Sequence, residues 1–352
     1  MTRTIGFGCW FALATLVGGL AASAQEVDRV VPIEGRTLSG KITAVSNAGI
    51  TIDAGGRSVT VEPSNVRRVE FAGEPREVTT ARRSLAEGRL NQVLPDLESV
   101  DVTRLQPPAL AAEVRFMTAY CIAKMAMSGE RGTLDEATRG VQEFVATHPD
   151  SYRFFEATEL LGDLLNSRGL FDQAETQFAR LVESPWGDLQ QAGRLKLART
   201  QELQEKFDLA AENYRGVEQV ESATEASRRA KLSARVGLAR CTAFQGDPEA
   251  GIATLQEMIR SESSTDVDLF AQIYNALGNC QAAAGRKKEA ILAFLHTDLL
   301  FYQNADYHAE ALYHLGSLFP SVGKGPEGAA ALEKLKQRYA SSPWASRKPA
   351  GS

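Results

Sequence analysis

The sequence predicts a mainly α-helical chain: an α-solenoid of antiparallel helix hairpins, preceded by a small all-β module. Three observations carry this. Residues 30–71 hold short β-branched runs separated by turn residues. Beyond residue 78 the strand signals stop, and Ala, Leu, Glu, Gln and Arg dominate. Within that helical region a single residue skeleton recurs at intervals of 36, 41, 39 and 38 residues, the mark of a stacked repeat.

The opening 24 residues stand apart. Arg3 precedes the apolar run IGFGCWFALATLVGGL, and Ala22-Ser23-Ala24 follow with the small residues a signal peptidase reads. Residues 1–24 are therefore expected to be a cleaved secretory signal, with the mature chain starting at Gln25 and a secreted or periplasmic location. A retained membrane anchor is the alternative, but the run is short for a span. Cys9 lies inside it rather than after a lipobox-like sequence, so no lipid anchor is expected.

Residues 25–72 form the β module. RTLSGKITAV, GITIDAG, SVTVEP and VRRVEF are the strand candidates, with SNAG, DAGG and EPSN between them. Ile50 and Ile52 alternate with Thr51 and Asp53, and Val59 and Val61 flank Thr60, so each strand has one face to bury. Four or five strands in so short a stretch imply a strongly bent sheet or small barrel. Such a module resembles Sm-like and SH3-like domains. Arg67-Arg68 has no interleaved aromatic platform, which argues against single-stranded nucleic acid and for a structural or docking role. GEPREVTT, at 73–80, has the composition of a linker.

The recurring skeleton is clearest in YNALGNCQAAAGRKKEAILAF, residues 274–294: Leu277-Gly278, Gly285, Ala290 and Phe294. It returns as Leu161-Gly162, Gly169, Ala174 and Phe178, and as Leu197-Ala198, Ala210 and Tyr214. Leu238-Ala239, Gly246, Gly251 and Leu255 make another copy, and Leu315-Gly316, Gly323, Gly328 and Leu332 the last. Small residues on facing helices allow close approach; a glycine after the first helix suits a left-handed terminus; the aromatics fill the space between hairpins. Pro185 and Pro343 are placed to stop second helices. This pattern resembles the tetratricopeptide repeat (TPR) family over residues 149–342, with degenerate hairpins over 81–148 and a flexible tail at 343–352. The last repeat also resembles those of exported bacterial cell-envelope proteins.

The composition excludes several function classes. With 43% hydrophobic and 24% charged residues and a net charge of −5, the chain lacks the basic clusters that nonspecific nucleic-acid binding requires. Cys121, Cys241 and Cys280 lack metal-ligand spacing and read as small buried apolar residues, Cys241 and Cys280 at equivalent repeat positions. His308 and His314 are six apart, on different helix faces, and His148 precedes a proline at a helix end. GKGPEG, at 323–328, lacks the order of a phosphate loop, and no nucleophile elbow or Cys–His couple is suggested. No catalytic residue, metal or cofactor is expected.

The resemblance to TPR proteins implies that the first helix of each hairpin lines a concave face that receives a protein or peptide. Carried onto matching positions, the lining residues are Glu159, Asp163, Asn166, Arg199, Glu202, Arg240, Phe244, Asn275, Asn279 and Tyr313. Asn279 sits where a carboxylate-clamp asparagine would, but the clamp lysines are not reproduced, so that clamp is not expected. The function implied is a non-enzymatic exported scaffold for protein or peptide partners in cell-envelope organisation or assembly. Two alternatives are an envelope-polymer or carbohydrate binder acting through the β module, and an accessory subunit of an enzyme complex. A cryptic hydrolase would need a pocket of convergent polar groups.

Overall fold

The computed structural model describes residues 27–221 and 223–348. The secretory signal and cleavage site expected at 1–24 lie outside the described residues. No helix among the described residues is long and apolar enough to cross a membrane.

Five antiparallel strands come first: β1 (Asp28–Pro32), β2 (Leu38–Ser46), β3 (Gly49–Asp53), β4 (Ser58–Val61) and β5 (Val66–Glu70). They pair in the order β4-β3-β2-β1-β5, a meander whose last strand returns to the first. The bend falls in β2, where the register shifts between Ile42 and Ala44. Gly40 permits it, because a Cβ there would collide with the Asp53 carbonyl oxygen. The alternation read from the sequence holds in β3, where Ile50 and Ile52 are fully buried.

Fourteen α-helices follow among the described residues. The first four are α1 (Arg76–Ala86), α2 (Leu90–Glu98), α3 (Pro108–Ser128) and α4 (Leu134–Thr147). The stretch 73–80 is therefore not simply a linker. Pro75 precedes α1 in extended conformation, and Glu74 accepts from both terminal nitrogens of Arg82. The charges that suggest a linker secure the start of a helix. Val30, Ile50, Val69 and Phe71 share one core with Val78 and Ala81 of α1, Leu94 of α2 and Met117 of α3. The β module is thus fused to the helical stack through a common apolar core.

Five hairpins complete the chain. They pair α5 (Phe154–Ser167) with α6 (Phe171–Val182), α7 (Gly187–Leu203) with α8 (Phe207–Gln219), and α9 (Glu225–Phe244) with α10 (Pro248–Ser261). The last two pair α11 (Val267–Ala283) with α12 (Lys287–Leu300), and α13 (Ala305–Leu318) with α14 (Gly325–Arg338). The skeleton has a direct physical meaning. A Cβ on Gly278 would stand 2.6 Å from the Phe294 ring, and Gly162 and Gly316 make the same close approach to Phe178 and Leu332. Glycine inside a helix costs about 1 kcal/mol relative to alanine. Burying Phe178 and Phe294 completely offsets it, at about 1.5–3 kcal/mol per side chain.

The chain wraps far enough for distant segments to meet. Glu34, just after β1, accepts from the backbone N–H of Glu225 at the N-terminus of α9, 3.1 Å away. A carboxylate there complements the helix dipole. Asn47, in the β2–β3 turn, donates to the Pro149 carbonyl at 3.0 Å. Residues 343–348, expected as part of a flexible tail, instead fold back on the stack, and Trp344 is 7% exposed within the last hairpin's core.

Candidate functional site

The first helices of successive hairpins line the inside of the stack, and their polar residues meet there. Glu310 of α13 is the centre. It is 1% exposed and accepts from Arg199 of α7 and from Arg240 of α9 at 3.4 Å. Asn275 and Asn279 of α11 each donate to it at 3.3 Å. Arg240 also binds Glu202 of α7 through Nε at 2.7 Å and through Nη2. The Tyr214 hydroxyl donates to the same carboxylate at 3.0 Å. Five helices, α7, α8, α9, α11 and α13, are tied together by charge-assisted hydrogen bonds.

Burial alone would raise the carboxyl of Glu310, yet Arg199 and Arg240 outweigh it and hold its pKa at about 2. His314, one turn further along α13, is pushed down to about 4 by burial and by the nearby arginines, against the opposing pull of Glu310. It is a neutral ring stacked on Phe294 at 4.7 Å. The three thiols follow the expected pattern. All are buried and unpaired, and burial raises Cys121 to about 11 and Cys241 and Cys280 to about 12.

These contacts divide the expected groove residues. Glu202, Arg240, Asn275 and Asn279 are buried and direct their polar groups at neighbouring helices, so they brace the stack more than they face a partner. Glu159 and Asp163 of α5 meet at Lys196 of α7, at 3.3 and 2.8 Å. Asn166 donates to Thr200 at 2.8 Å. Arg199 keeps a portion of its side chain open. Phe244 lies elsewhere: it stacks on Phe207 at 4.4 Å and stays 45% exposed. The reason is register. Asn166 and Glu202 stand five residues after their repeat leucines, whereas Phe244 stands six after Leu238, which rotates it off the inner face.

Between these helices remains a cavity of about 350 Å³. Asp163, Lys196, Arg199, Arg240, Asp306 and Tyr307 line its polar side, and Trp344 closes another. Asp306 lies on the exposed rim, where the enclosing helices and the like charge of Asp163 raise its pKa. Burial of Lys196 opposes its charge, but Asp163 and Glu159 outweigh that, raise its pKa and keep it charged. Tyr313, expected at the groove, is placed against Trp344 with ring centroids 5.2 Å apart. Lys196, Asp306, Tyr307, Glu310 and Trp344 are absent from the residues expected on sequence grounds. A signal for Glu310 exists: it stands five residues before Leu315, one turn before the expected position of Tyr313. Ser233 and Gln272, in the same register, also line the cavity.

The arrangement can receive polar and cationic or aromatic groups. No cluster of His, Cys, Asp and Glu suited to a metal ion occurs among the described residues. His308 bonds Tyr339 and Asp298, each at 2.7 Å.

No protein-family model matches this sequence, nor does any curated protein. Solved structures do resemble it. A tetratricopeptide repeat protein from Parabacteroides merdae superposes with a TM-score of 0.54 at 14% identity, covering 75% of this chain and 92% of that one. The Naa15/Naa10 complex bound to HypK-THB gives 0.33 at 15% identity, over 76% of this chain and 37% of that one. BtubC from P. vanneervenii gives 0.33 at 17%, over 69% and 95%. The last two scores are too low to bear on the fold. The first agrees with the repeat geometry: this chain has the fold of a TPR-like α-solenoid, fused at its N-terminal side to a five-stranded antiparallel sheet.

Proposed function

We propose that the protein is a non-enzymatic scaffold whose inner groove holds a segment of a partner protein. The observation carrying this reading is the cavity at the centre of the stack, lined from α5, α7, α9 and α13 by side chains of both charges. Chain segments supply the carbonyls, amides and basic or aromatic side chains that such a lining recognises. Of the residues expected at the groove, Asp163, Asn166 and Arg199 are the ones proposed to touch the partner, with Lys196, Asp306 and Tyr307 added. Glu202, Arg240, Asn275 and Asn279 hold them in place. The apolar run before Gln25 supports export, and a role in cell-envelope organisation is proposed with it.

The test is site-directed photocrosslinking in the envelope fraction of the native host. A benzophenone amino acid replaces Asn166 in one sample and the exposed Leu292 of the outer helix α12 in another. Discrete protein adducts from position 166 and none from 292 are expected. Adducts confined to position 292 would transfer binding to the convex face and overturn the proposal. The N-terminal residue of the recovered chain, Gln25 expected against Met1, checks the export reading independently.

A further inference from the structure

We infer that residues 341–348 are a built-in ligand of the inner groove, and that a partner segment must displace them with like chemistry: an aromatic residue followed three positions later by an arginine. This rests on the groove reading above and adds its regulation and the character of its ligand.

The segment Ser341-Ser342-Pro343-Trp344-Ala345-Ser346-Arg347-Lys348 leaves α14, packs on α13 of its own hairpin and reaches across to α7. Pro343 and Trp344 belong to the cavity wall itself. The Trp344 ring centroid lies 5.2 Å from that of Tyr313 and 5.4 Å from that of His314. The Arg199 guanidinium stands 5.9 Å from the same indole, within cation–π range. Arg347 also packs on the indole, 4.7 Å from its centroid, and donates to the Leu203 carbonyl at the C-terminus of α7. That end of a helix offers carbonyls without helical partners, which suit a cation. The Tyr313 hydroxyl donates to the Lys348 carbonyl at 3.0 Å.

The segment is coiled in turns, with Ala345 donating to Ser342 and Arg347 to Trp344, and its outward contacts are those of a bound peptide: a side chain in an aromatic slot, a basic group on a helix end, a main-chain carbonyl on a hydroxyl. Two groove residues expected from the repeat pattern, Arg199 and Tyr313, are occupied by this segment. Trp344 follows the end of α14 at Arg338 by six residues, so the tether is short. A short tether gives an effective concentration of roughly millimolar, and a partner in trans competes against that.

The experiment measures binding of a fluorescein-labelled synthetic peptide, residues 341–352, by anisotropy. It compares the wild-type chain with a full-length variant carrying Trp344→Ala and Arg347→Ala, which frees the groove while keeping the chain intact. The variant is expected to bind the peptide at least tenfold more tightly than the wild type. A peptide carrying Trp344→Ala should lose that binding. Circular dichroism of the variant, unchanged at the assay temperature, establishes that it is folded. Equal binding to both chains, equal binding of both peptides, or no binding to the folded variant would each overturn the inference. If the crosslinks at position 166 persist in those cases, only the built-in ligand fails. If they are lost too, the groove itself does.

Discussion

Glu113 and Glu310 are each 1% exposed, and the difference between these two buried glutamates separates structural bracing from a binding surface. Glu113 of α3 accepts from the Tyr152 hydroxyl at 2.5 Å and from Arg153 at 3.0 and 3.1 Å. Burial raises its pKa, Arg153 more than compensates, and the carboxylate stays charged. Its donors come from just ahead of α5, 39 and 40 residues away, and the site adjoins the core shared by the β module and the first helices. Glu310 has the same chemistry, a carboxylate fed by arginines from other hairpins. Its partners, however, lie 31, 35, 70 and 111 residues away, and the node opens onto a cavity. A buried ion-pair network does not mark a functional site by itself, because purely structural networks show the same shifts. The adjoining space, and the segment crossing it, distinguish Glu310.

The largest expected effect comes from neutralising each centre in turn. Glu310→Gln leaves Arg199 and Arg240 short of a counter-charge inside the stack and should cost about 3–5 kcal/mol in denaturant unfolding. Glu113→Gln should cost less, because Arg153 retains Glu156 at 2.6 Å. The pH dependence sharpens the contrast. Glu310 has a folded pKa of about 2, below its unfolded value. Its contribution is complete above an unfolded pKa of about 4.5 and is lost as pH falls from there through 2, about 3 kcal/mol at about 1.36 kcal/mol per unit. His314, held near 4 against 6.5, adds a loss of the same sign as pH falls from 6.5 to 4, reduced because the residue is only partly buried. Urea unfolding across that range should show both slopes in the wild type and a flattened slope below about pH 4.5 in Glu310→Gln. Identical profiles would break the comparison.

A smaller effect of opposite sign tests the repeat itself. Eight residues after the repeat leucine, Gly169, Gly246, Gly285 and Gly323 adopt positive φ. In the α7–α8 hairpin that position is Glu205, with φ 60°. A β-carbon is disfavoured there by about 1 kcal/mol, and the side chain is exposed. Glu205→Gly should therefore raise stability by about that amount, measured as a higher thermal midpoint. A lowered midpoint would mean that the hairpins are not equivalent.

Residue order makes the architecture legible because close packing is a local requirement. Gly162, Gly278 and Gly316 announce the rings and side chains 16 residues later that need their space. The groove is less legible, for two reasons. Spacing shows that Arg240, Asn275 and Asn279 face inward, but it cannot show that Glu310 waits there to absorb their charges. That depends on how tightly the superhelix winds. The segment after α14 likewise has the composition of a tail, and only the tertiary fold brings Tyr313, His314 and Arg199 together around Trp344. The stretch 73–80 misleads in a similar way, since Pro75 and its charged neighbours serve equally well as a helix start.

The assignment of the segment after α14 as the groove's own ligand turns on whether that tryptophan lies inside it in solution. In the chain from Gln25 carrying Trp186→Phe, Trp344 is the sole tryptophan, so its emission and acrylamide quenching report directly on the segment. A blue-shifted maximum is expected, with quenching several-fold weaker than for the free 341–352 peptide. Emission and quenching equal to the free peptide's would place the segment in water, leave the groove open and contradict the assignment of a built-in ligand.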